Sequence, residues 1–121
     1  MMEPEGKKTG LAHLVAAGSY SYAGFWRAIN ESAFRHEVLF FAGSLILFSA
    51  VGAALAEFLV LTVIFLIVFA VEALNTAIEE VIDRVSPEVS QTGKHAKDLG
   101  SFAVFCTLSA AVLYIFYVVL V

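Results

Sequence analysis

FLVLTVIFLIVFAVEALNTAIEEVID, residues 58–83, begins with fourteen uncharged residues and ends with four acids in its last twelve. The first part is apolar on every side of a helix, which a half-buried soluble helix is not. A bilayer core of about 30 Å takes about 20 helical residues to cross. Glu72 interrupts the run and residues 73–78 continue it, so this span carries an acid at a depth where one is costly. Outward from it, residues 38–56 and 99–121 are uncharged runs of nineteen and twenty-three residues. With 60% hydrophobic and only 15% charged residues, the chain lies outside the range of ordinary soluble domains. The reading is an all-α membrane protein of one domain with three spans.

The pattern before the first span differs. Leu11, Leu14, Val15, Gly18, Tyr22, Phe25, Trp26 and Ile29 recur at helical spacing, with His13, Ser19, Arg27 and Asn30 largely elsewhere on the wheel. Tyr20, Tyr22 and Trp26 are residue types that settle at headgroup level, so residues 9–30 are expected to form an amphipathic surface helix. Span one is placed at residues 31–52, span two at 54–85, where Ser86 and Pro87 end the helix, and span three at 91–121, with N-cap candidates at residues 90–92. No secretory signal pattern opens the chain. Cys106 lies mid-run in the last span and excludes an intramolecular disulfide, being the sole cysteine.

Lys7, Lys8, Arg27 and Arg35 precede the apolar run of span one, and Arg84, Lys94 and Lys97 lie between the apolar runs of spans two and three. The short turn before Glu57 has neither Lys nor Arg, so the positive-inside rule puts the N-terminus and the 84–98 connection in the cytoplasm. A formal charge of −4 with no basic stripe gives no reason to expect nucleic acid.

Glu72, Asn75, Glu79 and Asp83 fall within ~80° on one helix face and climb from the hydrocarbon toward the cytoplasmic surface. Glue between helices would explain Glu72 and Asn75, but four aligned polar groups point to a functional face. Glu80 lies off this ladder with Arg84 four residues on, the spacing of a solvated ion pair. At the mouth of span one stand Glu31 and Arg35, with Glu37 beyond. Glu31 and Glu79, at one depth, suit Mg²⁺, which one or two carboxylates hold while water and phosphate fill the other positions. Lys94, Lys97 and Asp98 begin span three, where cations are disfavoured unless an anion such as phosphate, or a lipid headgroup, offsets them. Neither a Walker-type loop nor the protein-kinase motifs occur. Carboxylates, lysine and a membrane still meet the needs of phosphoryl transfer: charge neutralisation, a base and in-line positioning.

The segments EALNTAIEEVIDR (residues 72–84), AKDLGS (96–101) and NESAFR (30–35) resemble the bacterial integral-membrane diacylglycerol kinases, and the spacing extends over nearly the whole chain. That resemblance implies a homotrimeric bundle in the bacterial inner membrane, with sites at subunit interfaces, where Mg²⁺ and ATP convert diacylglycerol to phosphatidic acid. It implies Glu72 as general base and Glu31 and Glu79 as metal ligands. It places Tyr20, Glu31, Glu79, Glu88, Lys97 and Asp98 at the nucleotide. Trp26, Arg35, Glu37 and Ser101, together with Glu72, fall where the family lines its lipid site. The chain departs from the family at His13 and Ser90, where other members carry Arg and His, and its link to Asn30 is one residue shorter. Undecaprenol kinases look very similar and leave the lipid open. A small proton-coupled transporter using Glu72, or a purely structural subunit, are the readings of a different class.

Overall fold

The computed structural model describes residues 9–121; Lys7 and Lys8 lie outside them. Four helices follow one another: α1 (Gly10–Ile29), α2 (Ser32–Ala50), α3 (Leu55–Val85) and α4 (Gln91–Leu120). No strand is present among the described residues, and α2, α3 and α4 are each long and apolar enough to cross a membrane. α1 stands apart from this bundle and buries none of its residues. Its Leu11, Leu14, Tyr22 and Trp26 are exposed, as an apolar face meant for an interface requires.

Short connections make consecutive helices neighbours of opposite direction. The α2–α3 turn reverses at Gly52, whose φ of +72° is the left-handed conformation that a side chain disfavours. Beyond it, Glu57 reaches back to accept a hydrogen bond from the Ala54 amide at 2.8 Å, satisfying a donor at the start of α3. At the other end, α3 stops at Ser86, before Pro87. Ser90 then caps α4, its hydroxyl accepting from the Gly93 amide at 3.0 Å.

The core is Phe48, Leu61, Phe65, Val68 and Ala111, with Phe41, Phe58 and Phe69 packed against it. Phe65 is its centre, with ring centroids 4.9 Å from Phe41 and 5.2 Å from Phe40. Most large side chains on the outer faces, such as Leu66, Phe102 and Leu113, remain exposed, and Cys106 also faces outward. Bulky apolar surface suits a hydrocarbon surrounding, where no penalty attaches to it.

Length positions the functional end. With 31 residues, α3 is about 46 Å long against a hydrocarbon core of about 30 Å, an excess of roughly three turns, the length of its charged last stretch. Those turns carry Glu79, Glu80, Asp83 and Arg84. The five Lys and Arg residues among those described, Arg27, Arg35, Arg84, Lys94 and Lys97, all belong to this end of the bundle.

Candidate active site

The polar face of α3 is graded in depth. Glu72 and Asn75 are buried, at 5% and 8% exposure, Glu79 is half-buried and Asp83 is exposed. Opposite the deepest rung, α2 presents Glu37, itself only 6% exposed, beside Glu72, with its Oε2 buried and without a hydrogen-bond partner. Burying two acids in a membrane helix bundle is costly, and packing alone does not account for it. Glu79 and Glu31 also lie close enough for their charges to act on Glu72.

Asn75 links the rungs. Its Nδ2 donates to Glu79 Oε1 at 3.2 Å, while its Oδ1 is buried without a protein partner. This carboxamide occupies the space that a side chain at Gly100 of α4 would need, so glycine is what lets α4 approach the ladder here. One residue on, Ser101 is exposed.

Where α3 and α4 leave the bundle, Asp83, Ser86, Glu88, Gly93, Lys94, Lys97 and Asp98 line a cleft of about 230 Å³. Lys97 Nζ crosses it to Asp83 Oδ1 at 2.5 Å, and Lys94 Nζ meets Asp98 Oδ2 at 2.6 Å. Ser86 donates to Glu88 Oε1 at 3.1 Å. The cleft therefore holds two ammonium groups at the start of α4, where backbone amides also point outward.

At the mouth of α2, Glu31 pairs with Arg27 at 2.9 Å, and the same guanidinium hydrogen-bonds Glu80 of α3. These contacts, Glu31 first and Glu80 next, raise the pKa of Arg27 and hold it charged. The pairing expected between Glu80 and Arg84 is thus replaced by one with the surface helix, which folds back within reach of α3. Arg35, expected beside a lipid, donates Nη1 to the Ile29 carbonyl at 2.8 Å and closes the end of α1. Trp26 and Tyr20 sit on exposed faces of α1.

The geometry thus brings together Glu37, Glu72, Asn75 and Glu79 in the interior, and Glu88, Lys97 and Asp98 in the cleft. Two features escaped sequence reasoning: the Glu37–Glu72 contact and the Arg27 bridge. Glu37 showed one signal, a lone acid opening an apolar run; Arg27 had only its spacing of four from Glu31. Among the described residues, no three Asp, Glu, His or Cys side chains converge in metal-ligand geometry. Glu31 and Glu79 carry the hard oxygens that Mg²⁺ takes, and one or two carboxylates suffice where phosphate supplies the rest.

The model of the prokaryotic diacylglycerol kinase family matches residues 19–119. A diacylglycerol kinase of Sinorhizobium sp. is 52% identical over 117 residues, covering 97% of this chain and 85% of the relative. Those of Haemophilus influenzae and Escherichia coli K12 are 39% and 38% identical, over 84% and 87% of this chain and 87% of each relative. A match that runs through α1 and all three spans, at these identities, means that the chain belongs to the prokaryotic diacylglycerol kinase family.

Proposed function

We propose that this chain transfers the γ-phosphoryl group of ATP to the free hydroxyl of diacylglycerol, forming phosphatidic acid, with Mg²⁺ as cofactor. The observation that carries this reading is the graded face of α3, which runs from buried Glu72 to a cleft where Lys94 and Lys97 stand among Asp83, Glu88 and Asp98. A lipid hydroxyl has to be met at membrane depth and a nucleotide at the aqueous surface. One helix face that spans both depths suits a reaction between them.

Glu72 is the general base, taking the hydroxyl proton as the oxygen attacks phosphorus, and Asn75 keeps Glu79 aligned beside it. Glu37 touches Glu72 and shapes the pocket for the glycerol headgroup, with Ser101, Trp26 and Arg35 toward the interface. Lys97 gives up Asp83 to bind phosphate, while Glu88, Asp98 and Tyr20 complete the nucleotide site. Glu31 and Glu79 would hold Mg²⁺, which when bound would neutralise charge on the phosphate oxygens. The excess of Lys and Arg at this end supports a cytoplasmic site and a cytoplasmic N-terminus in the inner membrane. A homotrimer is part of this reading, and the broad exposed faces of α1 and α4 offer surface to which neighbouring protomers would add.

The test is transfer from labelled Mg·ATP in mixed micelles offering diacylglycerol or undecaprenol. Product from diacylglycerol that Glu72→Gln and Glu79→Gln both abolish is the expected result. Product from undecaprenol alone would change the substrate and keep the chemistry; no product from either lipid, in protein shown to be folded, would return Glu72 to a transport role.

A further inference from the structure

The surface helix is held to the bundle by polar contacts gathered at one turn. α1 buries no residue, and its aromatic contact with α2, Phe25 on Phe34, is an edge at 6.4 Å. At the turn, Asn30 Nδ2 donates to the Trp26 carbonyl at 3.1 Å and Arg35 Nη1 to that of Ile29 at 2.8 Å. Arg27 does something different, because its partners lie on two other elements. Nη1 meets Glu31 Oε1 at 2.9 Å, and Nη2 meets Glu80 Oε1.

Glu31 is the N-cap residue of α2, yet its side chain makes no capping hydrogen bond. A carboxylate there is favoured by the helix amides, so its turn toward Arg27 reflects the pull of the guanidinium. One rigid planar fork serves both carboxylates, and a change at one arm is felt at the other.

We propose that Arg27 is a positioning residue that couples cation binding at Glu31 to the docking of the surface helix on α3. This rests on the reading of Glu31 as a metal ligand. Without a divalent cation, Arg27 occupies Glu31 and, through Glu80, fastens α1 to α3. A cation at Glu31 displaces one arm of the fork, and Arg27 then reaches the bundle through Glu80 alone. Arg27 and the divalent cation compete for one carboxylate, and the outcome of that competition sets the seat of the helix carrying Tyr20 and Trp26.

Trp26, the sole tryptophan and the residue next to Arg27, reports on this directly. The full chain in lipid nanodiscs is titrated with MgCl₂ while Trp26 emission is recorded, with phosphotransfer measured in parallel. Wild type is expected to show a saturable change. Arg27→Gln should abolish the Trp26 response and lower the half-saturating Mg²⁺ of phosphotransfer by about two- to fivefold, the range of partly exposed ion pairs. Glu80→Gln should raise it by a similar factor, because the whole guanidinium then falls to Glu31. Arg84→Gln removes a positive charge at the same end without touching Glu31 and should leave it unchanged. Shifts of Arg27→Gln and Glu80→Gln in one direction would overturn the coupling, as would an Arg84→Gln shift equal to that of Arg27→Gln. So would Mg²⁺-dependent catalysis by the wild type with a silent Trp26. If phosphotransfer itself proved independent of divalent cations, the metal assignment of Glu31 would fall first.

Discussion

Gly100→Ala probes the close approach of α4 to the ladder. A methyl group built at this position would overlap Asn75 Oδ1 and lie 3.2 Å from Asn75 Cγ. Asn75 is only 8% exposed and is tied to Glu79 at 3.2 Å, so it cannot swing away without cost. Overpacking of this kind costs about 1–3 kcal/mol, or about 5- to 150-fold in the unfolding equilibrium. The displaced carboxamide also withdraws a hydrogen bond to a carboxylate, of the kind that contributes about 1.5–3 kcal/mol. Stability is read by circular dichroism while SDS is titrated into dodecylmaltoside micelles; function is read by phosphotransfer. Gly100→Ala should unfold at lower SDS fraction and lose activity. The double variant Asn75→Ala with Gly100→Ala should match the stability of Asn75→Ala to within about 1 kcal/mol, because the space is free again. Its activity should stay low, since Glu79 still lacks its donor. Unfolding of Gly100→Ala at the wild-type SDS fraction would refute the close approach, and a double variant weaker than Asn75→Ala by more than about 1 kcal/mol would refute the steric account.

Lys97→Met should leave SDS stability within about 1 kcal/mol, because its bond to Asp83 is partly solvated, yet raise the KM for ATP by about tenfold or more through a lost phosphate contact. Ser90→Ala removes the cap of α4 and should cost about 1 kcal/mol in the same SDS titration, with ATP affinity falling as the cleft loosens. Gly52→Ala forces a side chain into the left-handed region at φ +72° and should cost about 1 kcal/mol without changing the KM for either substrate, since this turn is at the far end from the site.

The helices were legible because bilayer thickness acts on chain length alone: an uncharged run of some twenty residues announces a span wherever its neighbours lie. The ladder was legible for a similar reason, since the positions of Glu72, Asn75, Glu79 and Asp83 on one face follow from the helical repeat. Glu80 shows where that reasoning stops. Arg84 stands at the favoured spacing on the same helix, yet the carboxylate goes to Arg27, which is 53 residues away in the chain and adjacent in space. The departure of α1 from the bundle is set at the Asn30 turn, and no periodicity within α1 or α3 encodes that angle.

Local pattern therefore determined what each segment is: one amphipathic helix, three spans, a line of polar groups on α3 and a basic end. Tertiary structure decided which segments meet: Glu37 with Glu72, Asn75 under Gly100, Lys97 with Asp83, Arg27 between Glu31 and Glu80. The division is physical. Solvent and helix geometry act on consecutive residues, whereas a contact between helices depends on crossing angle, register and a turn, quantities that belong to pairs of elements and to no one of them alone.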